Sequence, residues 1–518
     1  MGRIKVGKIS EKQSVLVNKK YEENIKILDR ELGIEKSFDA IRRDISIAGK
    51  KASLYFLDGF AKDDIMLHLM ERWSFLQKGD LAVDPIGKLL DLHIAYIETE
   101  ATDQLDEIIS AVLSGSVALI LEGVDQGIII DVREYPARGP EEPDIERVSR
   151  GSRDGFVETI VFNTALIRRR IRDPKLRMEM FTVGRRSKTD VVVSYIEDIA
   201  NPELVDSIKE NLQVINIDGL PMAEKSIEEL IVPGNIWNPF PKVRYTERPD
   251  VAAVHLLEGH VVVIVDTSPS VIIAPTTYFH HVQHAEEYRQ SPATGLYLRW
   301  VRFFGIIASL FILPLWYLFA ANPELLPKSL KFIGPEEIGN VPLLIQIVLA
   351  EIGIDLIRMA AIHTPSPLAT ALGLIAAFLV GDIAIEVGLL TPEIILYAAL
   401  AAVGTFATPS FELGLANRFI RFVLIFFTAL LGGIGFLGGL ALVIIFLGFM
   451  KSFGVPYLWP LIPFNWMGLK SIIIRSPVPV QNIRFGILKP KDSTRQRGGT
   501  IPAPARKQRP KIKWHKKR

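Results

Sequence analysis

The chain has 518 residues, 49% of them hydrophobic and 23% charged, and its mean hydropathy of +0.25 is too high for one water-soluble globule. It has no cysteine, which excludes a disulfide scaffold, a thiolate-ligated metal and a cysteine nucleophile. The net charge of +2 averages three unlike pieces: residues 1–300 carry 38 basic and 48 acidic side chains, residues 301–475 carry 9 of each, and residues 476–518 carry 13 and 1.

The start, Met1 to Val6, has no apolar run, so no secretory signal is expected, and Val6 breaks the myristoylation pattern. Residues 1–50 read as charged helix. Ala52–Leu57 is expected as a strand, Asp63–Gln77 as a helix, His93–Ile97 as a strand and Leu105–Leu113 as a helix. Val117–Val132 reads as a hairpin through Gly123 and Gly127. Tyr135–Pro143 is a Pro/Gly loop between subdomains. Beyond it, Phe156–Arg170 and Pro202–Leu212 read as helices. Arg177–Val183, Val191–Tyr195, Val251–Leu257, His260–Val265 and Val271–Ile273 read as strands. No short repeat is visible.

After residue 300 the texture changes. Phe303–Ala321, Val341–Ala361, Leu368–Leu390, Ile394–Phe411 and Phe422–Met450 are apolar, and a bilayer crossing needs about 20 such residues. At least four are expected to span a membrane. The unsignalled N-terminal region and the basic tail both belong on the cytoplasmic side, which requires an even number of crossings. Either Val341–Ala361 does not cross or the last stretch bends back, and the glycines from Gly432 to Gly439 could support a break. Arg418 and Arg421 read as a cytoplasmic helix end.

Several motifs are weak. Gly433-Ile-Gly435-Phe-Leu-Gly438 matches a dinucleotide fingerprint but sits inside an apolar span, so Gly435 and Gly439 are read as a helix-packing site. His280, His281 and His284, with Glu286 and Glu287, could share a helical face as a metal site or a pH-sensitive hinge. The plainer reading is hydrogen-bonded histidines at the edge of the membrane domain. Arg168–Arg172 suggests nucleic acid only superficially. It sits in an acidic domain, where a partner contact or an internal ion-pair network fits better. The tail 506–518 reads as an arm on anionic lipid. No cofactor, metal or enzymatic motif is expected, and neither is nucleic acid.

The carboxylates inside apolar stretches carry the most chemistry. Asp382 and Glu386 are four residues apart and share a helical face, as do Glu351 and Asp355, with Arg358 one turn on. Carboxylates facing lipid are costly, so they face a bundle interior or an aqueous path. For Glu351, Asp355 and Arg358, ion pairing between helices and ion conduction are both open. For Asp382 and Glu386 an ion or proton pathway is expected, with Ile375, Leu379 and Val380 as an apolar constriction beside them.

The stretches ERVSRGSRDGFVETIVFNTALIRRR (146–170), TERPD (246–250), LLEGHVVVIVDTSPSVIIAPTTYF (256–279), HHVQHAEEYRQSP (280–292), GDIAIEVGL (381–389) and TPSFELGLANRFIRF (408–422) resemble the GerA family of bacterial spore germination proteins, A-subunit type. The resemblance covers about residues 35–490 and looks closer to an accessory branch than to the nutrient receptors. Receptor A subunits tend to carry Gln where Asp382 stands. The resemblance implies a protein of the spore inner membrane, in cyclic homo-oligomers (five copies) that conduct cations. It also implies partners among the other germination proteins of that membrane. The expected fold is therefore an α/β soluble region of two subdomains (1–135 and 136–295), an all-α polytopic membrane domain (296–475) and a basic disordered tail (476–518). The expected function is an accessory cation channel that promotes ion release. A receptor A subunit gated through partner subunits, or a non-conducting scaffold, is the alternative.

Overall fold

The computed structural model describes residues 15–94, 99–133, 146–232, 234, 237–335, 340–363, 373, 379–477 and 481–495. The first subdomain opens with helix α1 (Tyr21–Leu32). Strands β1 (Ala40–Ile47) and β2 (Lys50–Leu57) follow, then α2 (Asp63–Ser74) and a short α3 (Pro85–Lys88) that runs into a π-helical turn. Next come β3 (Thr99–Thr102), α4 (Leu105–Leu113), β4 (Val117–Leu121) and β5 (Gly127–Ile130). The strands form one antiparallel sheet in the order β1-β2-β4-β5-β3.

The second subdomain repeats this plan. After α5 (Ile160–Arg170) come β6 (Leu176–Val183), β7 (Thr189–Ile196), α6 (Pro202–Gln213), α7 (Ala223–Ile231) and β8 (Arg244–Thr246). Then follow α8 (Pro249–Glu258), β9 (Val261–Val265) and β10 (Val271–Ala274). The sheet order β6-β7-β9-β10-β8 reproduces that of the first sheet strand for strand, again antiparallel. Each sheet separates two apolar clusters, so its central strands are covered on both faces. That is why β9 reads Val-Val-Val-Ile-Val without alternation, with every residue buried.

Four expectations are corrected here. Within residues 1–50 only α1 is helical among the described residues, because Ala40–Ile47 pairs residue for residue with β2. The strand expected at His93–Ile97 falls at Thr99–Thr102; His93 closes the π-helical turn and residues 95–98 lie outside the described ones. The helix expected from Phe156 begins at Ile160, after Thr159 enters in extended geometry. Val251–Leu257 is helix, not strand: Pro249 occupies the first turn and the helix ends on Gly259. An unbroken apolar run fits a strand or a buried helix equally well, and these end signals decide between them.

The two subdomains are joined by a buried ion pair. Arg168 on α5 donates to both Asp39 oxygens at 2.9–3.1 Å, and their side chains are 2% and 4% exposed. Beside it, Phe38 N donates to Met178 O (3.0 Å) and Met178 N to Ser37 Oγ (3.2 Å).

The rest is helical. Short α9 (Tyr278–His281) and α10 (Ala285–Arg289) lead into α11 (Pro292–Ala321), capped by Ser291. Then come α12 (Leu343–His363), a π-helical turn at Leu379–Ile383, α13 (Ala384–Glu386), α14 (Pro392–Phe406) and α15 (Phe411–Phe449). α11 and α15 are long and apolar enough to cross a membrane. α11 meets α14 through facing glycines: a Cβ on Gly404 would lie 2.2 Å from Gly305 O.

α15 is a hairpin of helices rather than one rod. Gly432 adopts φ 59°, ψ −135°, a region open essentially to glycine alone. The limbs 411–431 and 433–449 fold back on each other. A Cβ on Gly435 would sit 1.9 Å from Phe427 O, and one on Gly439 3.3–3.4 Å from Leu424 and Phe427. The break foreseen among these glycines is therefore present, and both limbs end near the soluble region.

A small hairpin, β11 (Lys451–Ser452) with β12 (Val455–Pro456), ties that end down. Ser452 Oγ donates to Lys242 O at 2.6 Å and Tyr278 N donates to Tyr457 O at 2.9 Å. α16 (Trp466–Ile473) then packs on the start of α11. The tail departs from expectation. Residues 481–495 lie on the second subdomain, where Arg484 donates to Leu257 O (2.6 Å) and Thr494 O (2.6 Å). Lys491 N donates to Ile199 O (2.9 Å) and Arg495 pairs with Glu258 (3.1 Å). The basic stretch 496–518 lies outside the described residues.

Candidate functional site

Asp382 lies in the π-helical turn and Glu386 ends α13, so four residues of continuous helical backbone separate them. Both side chains are exposed. Among the described residues neither has a cation within ion-pair distance. The segment does not run on to Leu390 as one helix. It stops after Glu386 and turns at Gly388, before α14 starts at Pro392. The backbone at Leu379 and Val380 belongs to the π-helical turn, while Ile375 lies outside the described residues.

The other charged set is a connected network. Glu351, 1% exposed, accepts from Arg421 at 2.7 Å and lies 3.0 Å from Arg418 Nε. Arg418 also donates to Asp355 and, at 2.5 Å, to Glu351 O. Arg358 pairs with Asp355 at 2.9 Å and lies over the Phe411 ring at 5.6 Å. Arg421 donates onward to Ser309 O on α11. The arrangement locks α12 to α15 and α11. Arg418 and Arg421 are thus interior partners of Glu351 and Asp355. Neither spacing nor composition reveals this, because the partners lie 63–70 residues apart.

The histidines gather at the junction of the second subdomain with the helices. His255, His260 and His280 cluster with ring centroids 5.0–6.0 Å apart, His260 edge-on to both others. Burial, with Arg244 adding to it, holds His281 down at about 3, and burial foremost brings His260 to about 4. His280 and His284 do not share a helix: His284 caps α10, accepting from Glu286 N at 3.2 Å. Among the described residues no three His, Asp or Glu side chains are placed to hold a metal ion. Glu287, fully buried, accepts from Arg299 at 2.6 Å and from Arg302. In the 168–172 run, Arg168 takes Asp39 and Arg170 takes Asp154 at 2.9 Å, an internal use of those charges.

Comparison with known proteins agrees with the quoted motifs. A family model described as Bacillus/Clostridium GerA spore germination protein matches residues 26–486. The chain belongs to the GerA family. It is 53% identical to stage V sporulation protein AF of Bacillus subtilis over 465 residues, 90% of this chain and 94% of that one. It is 31% identical to spore germination protein GerLA of Bacillus cereus, covering 88% and 93%. The N-terminal domain of the A subunit of the Bacillus megaterium germinant receptor GerK3 aligns over 52% of this chain and 99% of its own, with 26% identity and a TM-score of 0.39.

Within this GerA protein several of the motif segments lie where the two regions meet. HHVQHAEEYRQSP closes α9, forms α10 and supplies the cap of α11. TPSFELGLANRFIRF starts α15 and supplies both interior arginines. TERPD supplies Arg248, fully buried, which donates to Asp250 and to Ser152 O at 3.0 Å.

Proposed function

We propose that the chain is a spore membrane protein of germination, a cyclic homo-oligomer that conducts cations and acts as an accessory to germinant receptors. The observation that carries this reading is the pair Asp382 and Glu386, exposed in one copy and without a described cation partner. Carboxylates at the level of apolar helices are tolerated where water or ions reach them. Copies around an axis would gather them into an acidic ring. The folded-back α15 supports a last apolar stretch that crosses and returns, which is one of the two ways to reach an even number of crossings. The strap at 481–495 supports placing the tail on the side of the soluble region, the cytoplasmic side by charge. The basic end of the tail, 506–518, is proposed to meet anionic lipid.

The receptor reading has one observation in its favour. A cavity of about 250 Å³, with Arg244, Glu224 and Glu412 in its wall, straddles the second subdomain and the start of α15, so a partner or ligand there could bias the helices.

The test is reconstitution of the purified chain in liposomes, with oligomer mass and cation flux measured on the same preparation. We expect a closed ring of five copies, and Asp382→Asn should lower flux or selectivity at unchanged oligomer yield. A monomer without flux refutes the channel. An assembled ring whose flux is absent from the start supports the scaffold, and flux appearing only with partner subunits supports the receptor.

A further inference from the structure

The helical interior holds more positive charge than its own carboxylates neutralise. Arg358, Arg418 and Arg421 converge there, and among the described residues only Glu351 and Asp355 lie within ion-pair distance of them. Three guanidinium groups against two carboxylates leave one positive charge; Arg358 and Asp355 are 19% and 29% exposed, but Arg421 and Arg418 are buried, where an uncompensated ion is disfavoured. Arginine does not relieve this by losing its proton.

The same three arginines, with Thr405 and Ala402, wall a cavity of about 10 Å³ between α12, α14 and α15, and no carboxylate lines it. Arg421 is 2% exposed, and its Nε has no hydrogen-bond partner; nor does the buried Nε of Arg358. Orphaned buried N–H groups of charged side chains are rare, because each forfeits its solvation without return. Here the residues that carry them line one small space.

We propose that this cavity is a binding site for one monovalent, halide-sized anion such as chloride. The anion would accept from the guanidinium groups and bring the network to neutrality. The size of the space selects among anions. About 10 Å³ is open to the centre of a water-sized sphere, room for one small spherical ion, so sulfate, phosphate and organic anions are excluded. The ion would be structural, joining the three helices that carry its arginines. A water molecule fits the volume equally, but it leaves the charge uncompensated, and this difference makes the two occupants distinguishable.

The experiment measures the Tm of the full-length protein in detergent, in sodium gluconate against sodium chloride and bromide at matched ionic strength and pH. A saturable rise of about 3 °C or more in both halides is expected from binding to the folded state alone. Arg358→Gln removes the surplus charge and should abolish the halide increment. Ala402→Val fills the cavity without touching the ion pairs, and it should abolish the increment even if Arg358→Gln fails to fold. Equal Tm in gluconate and halide overturns the proposal in favour of water. A halide increment that survives Ala402→Val also overturns it, since the ion then binds elsewhere.

Discussion

Asp39→Ala is the perturbation whose cost the structure defines most fully. Asp39 accepts three hydrogen bonds of 2.9–3.1 Å from Arg168, and the two side chains are 4% and 2% exposed. Removing the carboxylate leaves Arg168 charged and buried with one remaining acceptor, Leu176 O at 3.1 Å. Breaking one side of a buried pair costs about 3–5 kcal/mol, mostly from the stranded charge and not from the lost attraction. For a soluble region of this size that corresponds to a fall in Tm of roughly 6–20 °C. The assay is thermal unfolding followed by tryptophan fluorescence, since Trp73 is buried in the first subdomain. The stranded-charge account makes a second demand: Arg168→Leu combined with Asp39→Ala should recover much of the loss, because an apolar pair of similar volume removes the penalty. A double variant as unstable as Asp39→Ala alone would refute the reasoning, and so would a single variant within about 1 kcal/mol of the parent.

Two further outcomes are expected. Gly435→Ala should open the helix hairpin, at a cost of about 1–3 kcal/mol or more, whereas Gly438→Ala, which meets nothing within 4 Å, should be neutral. Comparing folded yield in membranes for the two checks this, and equal yields would show that the close approach at Gly435 is not needed. Stability of the soluble region should fall as pH drops from about 6.5 to 5, since the unfolded chain protonates near the ordinary histidine value of 6.5 while folded His260 and His281, held at about 4 and 3, do not. The loss is about 1.5 kcal/mol per histidine over that interval. Changing both to Gln should flatten the slope of Tm against pH, and parallel slopes would contradict it.

What the chain displays openly is what depends on near neighbours. Leu105–Leu113 and Asp63–Ser74 carry helical spacing, and β4 and β5 flank a glycine turn, so local pattern and final structure agree. Pro249 and Gly259 marked α8 as clearly, but the seven apolar or weakly polar residues 251–257 masked the period. Long-range facts were not legible. The Glu351–Arg421 pair bridges 70 positions, and Asp39–Arg168 bridges 129. The duplicated sheet order escaped because antiparallel pairing constrains which faces are apolar, not which residues provide them. His284 read as part of a helix because its spacing to His280 is helical, yet it sits in extended geometry as a cap.

The soluble region is fastened to the helices at more than one place along the chain. α10 leads directly into α11, the Lys451–Pro456 hairpin grips Lys242 and Thr276, and the 481–495 strap returns from α16 to α8. A body hung on one linker can swivel freely and transmits nothing. A body pinned at several separated points behaves as a crank. Any tilt of α11 relative to α15 must carry the soluble region with it, and a force applied to that region is delivered to the helices as torque.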